Sequence, residues 1–157
     1  MNTLLVHAAD LVATPWINGK GITRDVFGET LSDGRTDWLI SIAELRVDAE
    51  FSYFDEVDRT FTLLEGEGIE LVFDDAPAVR CHPFVPISFP GDRTTRCRVA
   101  AGPGNTFNVF ARRSGPQFIV SVLTLVKNHP LKMQGNPVAI HCATGSAMVG
   151  RHRLIAG

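Results

Sequence analysis

Apolar and polar positions in this chain alternate over short stretches, and glycine or proline breaks most of them before a helical period can build up. At 36–45 the alternation sets Trp38, Ile40 and Ile42 on one face of an extended strand, with Leu39, Ser41 and Ala43 on the other. Residues 61–64 and 69–73 flank Glu65-Gly66-Glu67-Gly68 and predict a hairpin, its second arm burying Ile69, Leu71 and Phe73 on one side. Phe89-Pro90-Gly91-Asp92 reads as a type II turn, with proline fixing one φ and glycine supplying a positive one. The stretch 118–126 is apolar at nearly every position, which predicts a strand covered on both faces. Shorter strands are expected at 138–142 and 154–156, and the one helical feature expected is a short turn near 51–55. Many short strands joined by such turns predict an all-β sandwich or barrel.

Length and composition narrow the class. The 157 residues suffice for one well-filled core and contain no evident linker, so a single compact unit over 1–157 is expected. A formal charge of −2 and basic residues scattered rather than striped argue against a nucleic-acid partner. No apolar run is long enough to cross a bilayer and the amino end lacks a signal-peptide pattern, so no membrane partner and a cytoplasmic location are expected. Cys81, Cys97 and Cys142 are odd in number and widely spaced, which fits free thiols better than a disulfide framework or a metal knuckle.

Familiar catalytic apparatus is missing from the sequence: no G-x-S-x-G elbow, no P-loop and no H-E-x-x-H. The Gly19-x-Gly21 pair lacks the third glycine of a dinucleotide fingerprint. His7, His82, His129, His141 and His152 never stand at metal-ligand spacing with a carboxylate, so neither metal nor cofactor is expected. The segment Pro15-Trp16-Ile17-Asn18-Gly19-Lys20-Gly21-Ile22-Thr23-Arg24 is chemically the richest. Its polar side chains can converge on a small ligand, or Trp16 can plug one end of a barrel while Asn18-Gly19 makes a tight turn.

That loop, W-L-I-S-I-A-E from Trp38 to Glu44, F-S-Y-F-D-E-V-D-R-T-F-T-L-L-E-G-E-G from Phe51 to Gly68, F-P-G-D from Phe89 to Asp92 and F-N-V-F-A-R-R from Phe107 to Arg113 together resemble the HutD/Ves family. The motifs follow the family's order and cover most of residues 10–115. The resemblance implies a cupin-like (RmlC-type) antiparallel β-barrel or sandwich in two related halves, a compact bicupin. Here the signature-bearing region spans about 1–115, and 116–157 would complete a pared-down second half. Many family members are encoded beside histidine-utilisation enzymes, and the role usually proposed for them is regulatory or ligand-binding.

Carried over residue by residue, the resemblance marks Trp16, Asn18, Gly19, Gly21, Thr23 and Arg24 in the loop, Ser41 and Glu44 in the strand, and Asp58 and Arg59. It also marks Asp92 at the turn, and Asn108 and Arg112 in the distal element. Departures fall at Ile17 and Leu39, where the family usually carries basic residues, at Lys20, usually glycine, and at Thr106, usually acidic. Guanidinium groups suit a carboxylate because their paired donors match its two oxygens, which points to Arg24, Arg59 and Arg112. Asn18, Thr23 and Asn108 would add neutral hydrogen bonds, and Trp16 a wall. The competing account has Asp58-Arg59 and Arg112 forming internal ion pairs and loop anchors instead.

The expected function is a non-catalytic binder or sensor of a small carboxylate-bearing metabolite, with an intermediate of histidine degradation as candidate ligand. One alternative is a metal-independent cupin enzyme, an isomerase or hydrolase, with Glu44 or Asp92 as general base. Another is a protein-interaction module, with a homodimer as its simplest form.

Overall fold

The regular alternation at 36–45 becomes the centre of a sheet, because each strand beside it presents side chains with the same parity. The computed structural model describes residues 4–16, 18–133 and 135–157, so the departure at Ile17 lies outside the described residues. Its packing divides into two units, Asp10–Val122 and Met1–Ala9 with Leu123–Gly157.

The larger unit contains β1 (Thr14–Pro15), β2 (Gly21–Thr30), β3 (Thr36–Leu45), β4 (Ala49–Glu50), β5 (Val57–Glu65), β6 (Ile69–Phe73), β7 (Ala76–Arg80), β8 (Pro86–Pro90), β9 (Thr95–Val99) and β10 (Gly104–Arg112). They form a six-stranded sheet in the order β1-β2-β3-β10-β5-β8 and a four-stranded sheet in the order β4-β9-β6-β7. Every pairing is antiparallel. The two sheets share no strand pairing, so the cupin-like fold is realised as a sandwich and not as a closed barrel.

Residues opposite one another in the ladder share a face. The inner face of the large sheet carries the row Ala43–Thr106–Leu63, then Ser41–Asn108–Phe61–Ile87, then Leu39–Phe110–Arg59–Phe89. Its apolar members meet Ile69, Leu71, Phe73 and Cys97 of the smaller sheet, with Trp16 and Phe51 packed at the margin. Phe61, Leu63, Ile69 and Leu71 are fully excluded from solvent. Each such side chain contributes about 1.5–3 kcal/mol of burial. The outer face carries a second apolar cluster, Trp38, Ile40 and Val109, covered by Val26, Phe107, Phe118 and Val120.

Several local expectations are corrected. Glu65-Gly66-Glu67-Gly68 does not close a hairpin, since β5 belongs to the large sheet and β6 to the small one. Both arms bury their apolar faces in the same core from opposite sides, and the turn is a corner between sheets. Gly66 (φ 117°) is required there because a Cβ would come within 2.8 Å of the Gly104 Cα. The turn after β8 has Gly91 outside the left-handed region, so it is not type II. Glycine serves there because a Cβ would meet the Val57 carbonyl at 2.8 Å. Residues 51–54 are irregular rather than helical.

No strand forms over 118–126 or 138–142. An unbroken apolar run carries no period of its own, and Phe118 packs on Trp38 at 5.3 Å between ring centroids instead of entering a ladder. In the smaller unit β11 (Ser146–Val149) and β12 (His152–Ile155) pair as an antiparallel hairpin through Gly150 at φ 58°. This hairpin is the regular structure found where a second barrel half was expected. No helix of the described residues is long and apolar enough to cross a membrane.

Candidate functional site

Parity along the strands sorts the candidate residues. Thr23 lies opposite Ala43, so it shares the inner face with Ser41, Arg59, Asn108 and Arg112. Arg24, opposite Ile42, and Glu44, opposite Ile22 and Asn105, project from the other face. Asn18 and Gly19 sit in the exposed turn between β1 and β2. There Gly19 adopts φ 69° and the Asn18 side-chain oxygen accepts the Lys20 N–H at 3.0 Å. The fourth departure, Lys20, is exposed in that turn.

Trp16 is half-buried and donates its indole N–H to the Thr23 hydroxyl at 2.7 Å. Its ring meets Phe51 edge-on at 6.2 Å, above Gly21. Glu44 is paired with Arg46 at 2.9 Å, and with help from Arg24 its carboxyl is held below the ordinary range.

The most unusual group on the inner face is Arg59. Its side chain is buried, and its one described hydrogen bond runs from Nη2 to Oδ1 of Asn108 at 3.0 Å. Asn108 in turn donates to the Thr106 hydroxyl at 3.0 Å, which donates to the Ala43 carbonyl at 3.2 Å. Three aromatic faces surround the guanidinium, with Phe51 at 4.0 Å, Phe110 at 4.9 Å and Phe89 at 5.7 Å.

Among the described residues no carboxylate reaches Arg59 within 4.0 Å, and its Nε has no partner. Burial pushes this guanidinium down to about 9. Asp58, its neighbour in sequence, faces the other way and pairs with Arg113 at 2.9 Å, so the internal pair weighed for Arg59 does not form.

Arg112, also buried, stands opposite Val57 on β5, which makes it a diagonal neighbour of Arg59. Such neighbours lie about 7–8 Å apart. Its Nη1 meets Oε2 of Glu56 at 3.5 Å, and its Nε has no partner. Both arginines are roofed by the irregular segment 51–56. Phe51 lies over Arg59, Phe54 packs on Phe110 at 5.1 Å, and Glu56, at φ 55°, faces Arg112. Two grooves of about 190 and 240 Å³ open elsewhere, one against Arg96 and Arg98 and the other against Phe27 and Trp38. Neither is lined by Arg59, Asn108 or Arg112.

Asp92 does not face this cluster. It grips Arg113 through two oxygens at 2.6 and 2.7 Å, and Arg113 also holds Asp58. The Arg113 guanidinium keeps the Asp92 carboxyl below its ordinary value. The Arg113 N–H donates to the Glu56 carbonyl at 2.8 Å, and the Phe54 N–H to the Gly91 carbonyl at 2.9 Å. Asp92 and Arg113 therefore clamp the roof segment.

Sequence reasoning missed Arg113, Glu56 and the three aromatic rings around Arg59. The rings come from positions 51, 89 and 110, which no local motif connects. Two departures, Leu39 and Thr106, lie on the inner face beside this cluster. Among the described residues no three His, Cys, Asp or Glu side chains gather as a metal ion would require.

Comparison with known proteins agrees with this architecture. An uncharacterized 21.2 kDa protein of the hutC 3′ region of Pseudomonas putida is 34% identical over 108 residues, covering 67% of this chain and 56% of that protein. Protein Ves of Escherichia fergusonii is 26% identical over 127 residues, covering 68% and 66%. The structure of HutD from Pseudomonas fluorescens SBW25 superposes with a TM-score of 0.64 at 31% identity, over 67% of this chain and 58% of that one. The Cnp3 cupin domain of Schizosaccharomyces pombe, 13% identical at a TM-score of 0.52, shares the fold. The chain thus spans little more than half the length of its Pseudomonas relatives. The HutD family model matches residues 8–155. On that match and the cupin-like sandwich, this chain belongs to the HutD family.

Proposed function

We propose that the chain binds a small carboxylate-bearing metabolite at Arg59, without catalysis, and acts in the cytoplasm as a sensor or modulator of histidine utilisation. The observation that carries the reading is the buried Arg59 guanidinium, ringed by Phe51, Phe89 and Phe110 and held by one amide oxygen, with no carboxylate opposite it. An uncompensated buried charge costs several kcal/mol, on the order of a whole ion pair's worth, and a carboxylate ligand relieves that cost through two matched hydrogen bonds. The unpartnered Nε is the donor left free for such a ligand, beside the Nη2 that holds Asn108.

Entry requires the Phe51 side chain to swing off the guanidinium, a rotamer change made with the backbone of the clamped roof segment in place. The link to histidine utilisation rests on the kinship with a hutC-region protein. Three free thiols fit a reducing compartment. The binding reading is favoured over the enzyme alternative because Glu44 and Asp92, the bases that alternative would use, are engaged by Arg46 and Arg113.

Isothermal titration with urocanate, formiminoglutamate, formylglutamate and glutamate tests the reading. At least one should bind the native chain. Asn108→Asp, which sets a carboxylate 3.0 Å from Arg59, should abolish that binding while raising the thermal midpoint. A folded chain that binds none of the four at millimolar concentration refutes the assignment.

A further inference from the structure

The two buried arginines are not equivalent, and the difference counts charge. Arg112 already meets a carboxylate of its own chain, Glu56, whereas Arg59 meets none. Glu56 is not placed there by relaxed geometry. It sits at φ 55°, a left-handed conformation that strains a non-glycine residue. The corner clamp holds it there, with the Arg113 N–H on the Glu56 carbonyl at 2.8 Å and Arg113 gripped in turn by Asp92. The backbone is thus held through its carbonyl, while the side chain remains largely exposed and turned toward Arg112.

We infer that Glu56 is a specificity-determining residue that makes the site selective for ligands carrying a single carboxylate. This inference rests on the carboxylate reading of Arg59 and names the charge class of its ligand. A monocarboxylate satisfies Arg59 and leaves the Arg112–Glu56 pair intact. The second carboxylate of a short dicarboxylic acid would have to enter beside Arg112, where Glu56 already stands and repels it. The aromatic faces of Phe51, Phe89 and Phe110 suit the uncharged body of such a monoacid.

The test compares butyrate with succinate, acids of equal carbon number that differ by one carboxylate, by titration calorimetry on the native chain, Glu56→Gln and Glu56→Asp. The native chain should prefer butyrate. Glu56→Gln should improve succinate affinity by up to about fivefold, the size of one largely exposed charge interaction, and leave butyrate within about twofold. Glu56→Asp, which keeps the charge, should keep the native preference. Butyrate binding with an unchanged succinate-to-butyrate ratio in Glu56→Gln overturns the role of Glu56 alone. Failure of both acids to bind any of the three folded proteins overturns this inference, and failure of urocanate, formiminoglutamate, formylglutamate and glutamate as well overturns the carboxylate reading itself.

Discussion

The guanidinium carbon of Arg59 lies 4.0 Å from the ring centroid of Phe51, and the face turned to the ring is served by no anion. Breaking a buried ion pair typically costs about 3–5 kcal/mol, because the surviving partner is stranded. Arg59 strands only an amide. Arg59→Met should therefore leave the unfolding free energy unchanged or raise it, by up to about 4 kcal/mol, while carboxylate binding disappears. Urea unfolding and calorimetry on the same preparation check both halves. A loss above about 3 kcal/mol would make Arg59 a structural keystone rather than a charge kept for a ligand.

Asp92 holds Arg113, and through it the segment carrying Phe51 and Glu56. Asp92→Asn should lower the thermal midpoint, speed amide exchange at Phe54 and weaken carboxylate binding without touching Arg59. The pH dependence follows from the lowered native value. As pH falls, the unfolded chain takes up this proton before the folded one, so the stabilisation is whole above the ordinary aspartate value of 3.8 and is lost below it. The gap in stability between the native chain and Asp92→Asn should be widest near neutral pH and close as the pH drops below about 3.8.

Gly21 lies under the Trp16 indole, where a Cβ would approach ring carbons and the Glu44 carbonyl at 2.9 Å. A strand residue with no free volume above it tolerates no added methyl. Gly21→Ala should cost about 1–3 kcal/mol and displace the indole from Thr23. In a proton–nitrogen spectrum the Trp16 indole N–H signal should move upfield; an unmoved signal would place the ring elsewhere in solution.

Burial pushes the Cys81 thiol up to about 11 and the Cys97 thiol up to about 12, the nearby Arg59 charge failing to offset it. Cys142 is only half-buried. A thiol-titrating disulfide reagent at pH 8 should therefore modify one cysteine per native chain and three after denaturation. Rapid labelling of Cys97 in the folded protein would contradict the packing between the two sheets.

How much was legible in the sequence differs from element to element, for physical reasons. The strand at 36–45 was readable because one buried face and a period of two leave a single solution, and Ser41 follows from it. Arg24 was grouped with Arg59 and Arg112 by chemistry, yet its register opposite Ile42 turns it to the other face. Register is a property of two strands, and one strand's sequence does not contain it. The suspected Asp58–Arg59 pair fails for a reason the sequence did hold, since adjacent strand residues point to opposite faces. Residues 65–68 misled because a glycine-rich turn between apolar strands looks the same whether it folds a hairpin or turns a corner between sheets.

β10 pairs with β3 on one side and β5 on the other, and it brings Asn108 and Arg112 to Arg59 from about fifty positions downstream. During synthesis the first hundred residues accordingly emerge with their two central strands unzipped and an arginine awaiting its neighbours. Such long-range closure belongs to the slower folding topologies, on a scale of milliseconds to seconds. Assembly of the Arg59 cluster and completion of the sheet are consequently one event, and a nascent chain released before residue 112 would have neither.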